Sequence, residues 1–260
     1  MPTRSALANT HPVVAIIIDD LGNSLALDKQ AIALPGPVAC SFLPDTPYAA
    51  RLARVAHHAG KEVLLHLPLE ALGHEKLGPG GLTLPMTRRE FVTTVRADLA
   101  AIPDVDGVNN HMGSLLTQHP GDMAWLMETL KQFAAPLFFV DSRTTPRTVA
   151  YRIAREYGVP ATSRDVFLDD VQTKAAINRQ LQELIAIAKR HGTAVAIGHP
   201  YAVTLAVLAR QLPRLAGQGV RLVGVRQVIA RQESPESKSA LNPVDEQNSA
   251  ADRGGAGAHP

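Results

Sequence analysis

The stretch HPVVAIIIDDLGNS (residues 11–24) runs from a continuous apolar segment directly into two adjacent aspartates. Val14 to Ile18 have the uninterrupted apolar character of a buried strand. Asp19 and Asp20 follow at once, although neighbouring carboxylates repel each other and lose solvation when they are buried. Either the chain turns into water here, or the two carboxylates belong to a site that compensates their charge.

Similar apolar segments recur along residues 12–231, with amphipathic stretches between them. They cover residues 13–18, 38–43, 62–66, 106–110, 137–140, 163–168 and 193–198, and a weaker one covers 220–225. Apolar strands that alternate with helices are typical of a largely parallel sheet covered by helices. The pattern predicts a single α/β domain, either a barrel or an open sheet, and the absence of a composition break favours a barrel.

The stretches between the strands have helical periodicity. Thr87 and Glu90 have the spacing of a capping box at a helix start, and Gly192 has the position of a helix stop. The predicted apolar faces are Phe91, Val95 and Leu99 in one helix, Met123, Leu126, Leu130 and Phe133 in the next, and Ile177, Leu181, Leu184 and Ala188 in a third.

Charge and cysteine content exclude several classes of protein. The 26 basic and 24 acidic residues leave a net charge of +2, so nothing indicates a nucleic-acid partner. Cys40 is the single cysteine, which excludes an intrachain disulfide and argues against a cysteine-based metal site. No apolar stretch approaches the ~20 residues that span a bilayer, so no transmembrane segment is expected.

The two ends of the chain differ from the rest. Residues 1–11 are predicted to be an N-terminal extension, and residues 232–260, rich in Ser, Pro, Gly and charge, a disordered tail. The N-terminal segment lacks the apolar core of a secretory signal. We therefore expect a cytoplasmic protein, or a periplasmic or cell-envelope protein if the chain is a mature or trimmed form.

Residues able to bind metal or move protons follow six of the predicted strands. In α/β folds the carboxyl ends of the strands form the active site. These ends are Asp19–Asp20, His66, Asn109–Asn110–His111, Asp141–Ser142–Arg143, Asp169–Asp170 and Gly198–His199–Pro200. Their distribution favours one shared site.

Imidazole and carboxylate together suit Zn²⁺, with Mn, Fe, Co and Ni as competitors. A catalytic zinc site has three protein ligands and an open position for water. One carboxylate of Asp19 and Asp20 can bind the ion while the other takes a proton from water. Because adjacent strand residues face opposite ways, both can serve one site only where the strand ends and the chain starts to turn.

Six motifs, in their order and spacing, resemble the divergent polysaccharide deacetylase family, a branch of the NodB-like carbohydrate esterases. They are AIIIDDLG, VLLHLPLE, GVNNHMGS, FFVDSRT, VFLDD and AIGHPY, and the resemblance covers residues 12 to 231. It implies a NodB-like, distorted (β/α)₇ barrel. It also implies a hydrolase that uses a divalent metal to remove N- or O-acetyl groups from a carbohydrate of the bacterial cell envelope.

The resemblance assigns roles to the strand-end residues. Asp19 corresponds to the general base, Asp20 to a metal ligand and His199 to the group that protonates the leaving amine. His66 keeps the first position of the family's His-x-x-x-His motif, but Glu70 stands in place of the second histidine. The third ligand is then either His111 from the next strand, which we favour, or Glu70.

Other strand-end residues are expected to support the ion or the substrate. Asn110, or a nearby backbone N–H, is a candidate oxyanion donor, and Arg143 is a candidate to orient Asp19. Asp141 either lines the site or caps the turn that follows it. The supporting residues are Glu70, Asn109, Asn110, Asp141, Arg143 and Asp170.

Two other functions are compatible with parts of this pattern. A barrel that kept its pocket but lost turnover would act as a carbohydrate-binding or scaffold protein, and Glu70 in place of histidine favours it. A metal-dependent phosphoesterase or aldolase on a (β/α)₈ barrel would need a phosphate-binding loop after the late strands. In that region the sequence GHPY offers only one backbone turn.

Overall fold

The computed structural model describes residues 11–73, 76–133 and 135–234, and strands alternate with helices along them. The predicted N-terminal extension and C-terminal tail lie mostly outside these residues. The strands are β1 (Val13–Leu21), β2 (Ala39–Phe42), β3 (Val63–Leu69), β4 (Gly107–Met112), β5 (Phe138–Asp141), β6 (Ala161–Ser163), β7 (Val166–Phe167), β8 (Thr193–Gly198) and β9 (Arg221–Leu222). The helices are α1 (Leu25–Ile32), α2 (Ala49–His58), α3 (Arg88–Ala101), α4 (Pro120–Lys131), α5 (Ala150–Glu156), α6 (Lys174–His191), α7 (Ala202–Gln211) and α8 (Val225–Glu233).

The strands form one parallel sheet in the order β6-β5-β4-β3-β2-β1-β8-β7, and β9 pairs with β1. The edge strands β6 and β7 are consecutive in the chain and are joined by Arg164 and Asp165 alone. The N–H of Arg164 donates to Asp141 O beside β6, while the N–H of Asp165 donates to Val195 O beside β7. The sheet therefore curls round on itself.

This curled sheet confirms the distorted (β/α)₇ barrel. The prediction of one strand over residues 163–168 is wrong in detail, because the chain bends there and pairs first with β5 and then with β8. The two short strands β6 and β7 together take the place of one barrel strand.

Alternate residues of each strand contact different layers. Val14 and Ile16 of β1 belong to the large apolar cluster that includes the surrounding helices, whereas Ala15 and Ile17 belong to a smaller inner cluster with Val228 of α8. Helix α8 closes the amino end of the barrel, since residues just before β3 and β4 hydrogen-bond with it. The polar inner positions lie at the carboxyl ends of the strands.

The predicted helix signals are mostly confirmed. Thr87 and Glu90 form the capping box of α3, and Gly192 ends α6 in the left-handed conformation, at a φ of 84°. Phe133 departs from the prediction: α4 ends at Lys131, and Phe133 follows it, 37% exposed. Within the described part of the chain, every helix is too short or too polar to cross a membrane.

Candidate metal centre

A β-bulge brings both aspartates of the DD pair to the same site. Ile18 pairs with Cys40 and Leu21 with Phe42, so Asp19 and Asp20 together stand opposite a single residue of β2. Asp20 adopts a φ of 58°, a left-handed conformation that aspartate tolerates better than most residues. The chain thus bends at the aspartates within β1, where the sequence predicted the end of the strand, and the two carboxylates need not face opposite sides of the sheet.

The turn that follows the bulge is held by a buried carboxylate in α1. Asp28 Oδ2 accepts hydrogen bonds from the N–H groups of Gly22, at 2.8 Å, and Ser24, at 3.2 Å. Gly22 has a φ of 118°, and a Cβ there would lie 2.0 Å from Thr46 Oγ1. Glycine is therefore required at this position, and Asp28 fixes the backbone beside Asp20.

Three potential ligand atoms form a nearly equilateral triangle. Asp20 Oδ1 lies 3.0 Å from His111 Nδ1 and 3.2 Å from His66 Nε2, and the two nitrogens are 3.1 Å apart. Tetrahedral zinc with bonds of about 2.0–2.1 Å sets its ligand atoms about 3.3 Å apart. The triangle therefore fits an ion of this size and preference.

Asp20 Oδ1 is available to bind a metal ion. Among the described residues it is buried and has no hydrogen bond of acceptable geometry, although two imidazole nitrogens lie close to it. Burial alone would raise the pKa of Asp20, but His111 and His66 outweigh that effect and hold it well below its usual range. Asp20 is therefore ionised at neutral pH, as a metal ligand must be.

Asn109 connects the triangle to Asp19. Its Nδ2 donates to both oxygens of Asp19, at 2.8 and 3.0 Å, while its Oδ1 lies 3.0 Å from His66 Nδ1 and accepts from Ser41 Oγ at 2.5 Å. Because Oδ1 is an acceptor, the proton of His66 belongs on Nδ1. The lone pair of Nε2 then faces the triangle, the arrangement typical of metal-ligating histidines.

Asp19 is buried on the inner side of β1, 2% exposed. Burial raises its pKa, although His66, His199 and the Asn109 hydrogen bond oppose the shift. Its Oδ2 lies 3.7 Å from His66 Nε2. Asp19 is thus a carboxylate with a raised proton affinity beside the triangle, the property of a general base.

His199 lies on the opposite side of the site and is held by Asp169. Its Nδ1 is 2.9 Å from Asp169 Oδ1, and its backbone N–H donates to Asp169 Oδ2 at 2.7 Å. Thr204 Oγ1 donates to the same Oδ2 at 2.8 Å. His199 Nε2, 3.9 Å from Asp20 Oδ2, therefore faces the site.

Burial alone would lower the pKa of His199, but the hydrogen bond to Asp169 and the charges of Asp19 and Asp20 raise it overall. A raised pKa favours the protonated imidazole, the form that can donate a proton to a leaving group.

The triangle contains His111, and Glu70 is bonded elsewhere. Glu70 Oε2 accepts from Leu84 N at 2.8 Å, and its backbone pairs with Leu82 and with the residues after β4. Glu70 therefore holds the loop above β3 to the rest of the barrel.

The remaining predicted residues lie at the strand ends but have structural partners. Asn110 uses both ends of its amide, accepting from Ser142 N and donating to Met112 O, so it connects the ends of β4 and β5. Asp141 accepts from Thr148 Oγ1 and from the N–H groups of Arg143 and Tyr151, and thus caps the following turn and α5.

Two of the predicted supporting contacts are made by residues other than those predicted. The group that orients Asp19 is Asn109, where Arg143 was expected. In the Asp169–Asp170 pair the buried Asp169 supports His199, whereas Asp170 is exposed. Ser41, Asp28 and Thr204 were not predicted, and only the inward alternation of β2 gives a sequence signal, for Ser41.

Comparison with known protein families matches residues 16–229 to the family described as divergent polysaccharide deacetylase. This chain belongs to the divergent polysaccharide deacetylase family. A protein of Haemophilus influenzae is 38% identical over 212 residues, which are 82% of this chain and 75% of that protein. The Escherichia coli K12 protein YibQ is 38% identical over 213 residues, which are 80% of this chain and 66% of YibQ. Both relatives are described as uncharacterised.

Solved structures agree with this family fold. An uncharacterised protein from Agrobacterium tumefaciens C58 has a TM-score of 0.79 at 27% identity, over 84% of this chain and 89% of that one. A mutant of a CE4 family pseudoenzyme with restored enzymatic activity has a TM-score of 0.53 at 16% identity, over 85% and 68% of the two chains. The second likeness concerns the fold alone.

Proposed function

We propose that this divergent polysaccharide deacetylase is a metal-dependent hydrolase that removes N- or O-acetyl groups from a carbohydrate of the cell envelope. The observation that carries the proposal is the triangle of Asp20, His66 and His111, with a buried carboxylate on one side and an aspartate-bound histidine on the other. Zinc is the ion that the mixed histidine and carboxylate set favours.

The residues around the triangle have separate roles in the proposed reaction. A divalent ion held there would supply a Lewis acid for the acetyl carbonyl and the attacking water. Asp19, oriented by Asn109, accepts the proton of that water on a carboxylate whose pKa is raised by burial. His199, held by Asp169 through Nδ1, donates a proton from Nε2 to the departing amine or alcohol.

Asn109 and Asp169 act by position. Asn109 holds a potential ligand and the base at once, so it fixes the geometry between His66 and Asp19. Asp169 fixes the ring orientation of His199 and stabilises its protonated form. Neither side chain needs to touch the substrate.

The proposal is tested by measuring metal content and hydrolysis of acetylated chito-oligosaccharides. We expect stoichiometric metal in the native protein, release of acetate, and loss of both in Asp20→Ala and His111→Ala. Asp170→Ala is the matched control, since this exposed aspartate also follows a strand and lies outside the triangle. Absence of metal from protein that has been supplied with zinc would contradict the proposal.

The alternative is an inactive barrel that binds carbohydrate. Glu70 in place of the family's second histidine favours it, and one fold relative is described as a CE4 family pseudoenzyme. Binding of acetylated sugar without release of acetate, in protein that holds its metal, would favour this alternative.

A further inference from the structure

Arg164, in the link between β6 and β7, is held in a fixed position beside the metal centre. Its Nε donates to Ser142 O at 2.6 Å, and one terminal nitrogen donates to Arg143 O at 2.9 Å. Its Cζ lies 5.2 Å from the centroid of the Phe167 ring, a cation–π contact. Two carbonyls and one ring thus fix the guanidinium, and its remaining N–H groups have no acceptor among the described residues.

Two short chains of contacts connect Arg164 to the catalytic groups. The Phe167 ring beneath it lies 5.2 Å from the His199 ring, centroid to centroid. On the other side, Ser142, whose carbonyl Arg164 binds, has its Oγ 3.4 Å from Asn109 Nδ2, the group that donates to Asp19. Arg164 therefore lines the wall of the site on the β7 side.

In the described part of the chain, no carboxylate is in ion-pair contact with the positive charge at this wall. Among residues 11–73, 76–133 and 135–234, arginines form ion pairs elsewhere, but neither Arg164 nor Arg143 is in one. Burial lowers the pKa of Arg164, and the charge of Arg143 lowers it further, whereas the charges of Asp141, Asp19 and Asp165 raise it.

The nearest acidic side chains are already bonded to other donors. Asp141 accepts from two backbone N–H groups and a threonine hydroxyl, and Asp165 Oδ2 accepts from Val195 N at 2.8 Å. The charges of Asp141, Asp19 and Asp165 offset the repulsion between Arg143 and Arg164 only from beyond ion-pair distance. An anion at this wall would therefore meet guanidinium N–H groups that no carboxylate of the described residues occupies.

We propose that Arg164, with Arg143 beside it, binds a carboxylate of the substrate, so that the substrate is an acidic sugar. A guanidinium presents paired N–H donors that match the two oxygens of a carboxylate. Identification of the ligand as a sugar rests on the proposed deacetylase function, whereas anion binding at this wall does not require hydrolysis.

The test compares two N-acetylated sugars that differ in a carboxylate. Calorimetric or NMR titration of the metal-loaded protein at low salt measures the affinities for N-acetylmuramic acid and N-acetylglucosamine. We expect the acidic sugar to bind at least about tenfold more tightly, the size of one charge-assisted hydrogen bond. Equal affinities in the wild-type protein would overturn the inference.

Variants locate the effect. Arg143→Gln leaves the barrel contacts of Arg164 in place and is expected to lower the preference for the acidic sugar at least about threefold. The double variant Arg143→Gln/Arg164→Lys should lower this preference further. In both variants the affinity for the neutral sugar and the metal content should stay unchanged. Arg210→Gln, which removes an exposed arginine of α7, is the matched control and should keep the full preference. A preference that survives in both arginine variants would overturn the inference.

Three further outcomes test the anion site and the proposed function separately. Tighter binding of inorganic phosphate than of the acidic sugar at the same arginines would overturn the assignment to a carboxylate. Hydrolysis of acetylated sugars without discrimination between the two probes would overturn this inference alone. Discrimination without hydrolysis would contradict the proposed function and support the anion site.

Discussion

Asp20 and Asp98 each carry a buried carboxylate oxygen without a hydrogen bond among the described residues, but their surroundings are opposite. Around Asp20, two imidazole nitrogens converge within 3.2 Å, and its pKa lies below the usual range. Asp98 in α3 is covered by the backbone of Gly80, and burial, with a further contribution from the charge of Asp45, raises its pKa to about 8.

The difference lies in the groups that surround each buried carboxylate. At Asp20 the burial cost is offset by groups that a cation would hold together, and a left-handed bulge directs the oxygen towards them. At Asp98 no such groups converge in the described part of the chain, so the carboxyl group avoids the cost by keeping its proton. Neutralising each aspartate with the nearly isosteric asparagine should therefore have opposite consequences.

The largest effect is expected for Asp20→Asn. Loss of one of three ligands should abolish stoichiometric zinc binding and lower kcat/KM at least about 1,000-fold, the several kcal/mol that a Lewis acid contributes to the transition state. Zinc content by atomic emission and acetate release measure the two effects. Asp98→Asn, the matched control, should keep its zinc and its turnover; zinc retained by Asp20→Asn would remove the contrast between the two residues.

Asp19→Asn should separate catalysis from metal binding at the neighbouring position. The amide cannot accept a proton, so kcat should fall about 100- to 1,000-fold, while zinc content stays near that of the wild-type protein. Metal titration and initial rates on the same preparation make the comparison. If zinc is lost in parallel with activity, Asp19 is a ligand and the roles of the two aspartates are assigned the wrong way round.

Asn109→Ala should have a smaller effect on both properties. Without the amide, His66 loses the acceptor at Nδ1 and Asp19 loses its donor, so we expect metal affinity and kcat/KM each to fall about 10- to 100-fold. Competition with a zinc-binding dye measures the affinity. Asn110→Ala serves as the neighbouring control, with metal affinity close to wild type.

The smallest expected effect is a gain of stability in Asp98→Asn. The native carboxyl group keeps a proton that the unfolded chain gives up near pH 4, so its contribution lowers the free energy of unfolding as pH rises from about 4 to about 8. The variant should be about 1–2 kcal/mol more stable than wild type at pH 8.5 and close to it at pH 4.5. Urea unfolding at both pH values checks this, and an equal effect at both would contradict the raised pKa.

The sequence predicted best the features that depend on residues close together within one strand or helix. The apolar run before Asp19, the histidines at strand ends and the capping box of α3 each depend on local spacing, and all were visible in the sequence. The bulge at Asp20 depends instead on how many residues of β2 pair with β1 between Ile18 and Leu21. That pairing involves a separate segment of the chain, and no local pattern specifies it.

The same reason explains the supporting residues that were predicted incorrectly. Asp169 and Asp170 are adjacent, and the packing of β7 against β8 decides which of them reaches His199. Asn109, 90 residues from Asp19 in the chain, provides the hydrogen bond that was expected of Arg143. Glu70 has the sequence spacing of a ligand, but β3 ends at Leu69 and the following loop turns its carboxylate to Leu84.

If Asp20, His66 and His111 hold the ion and Glu70 does not, anomalous diffraction at the zinc edge from zinc-loaded crystals should show it. We expect one strong anomalous peak within about 2.0–2.2 Å of Asp20 Oδ1, His66 Nε2 and His111 Nδ1. A peak coordinated by the Glu70 carboxylate, or no peak near Asp20 in crystals that contain zinc, would contradict it.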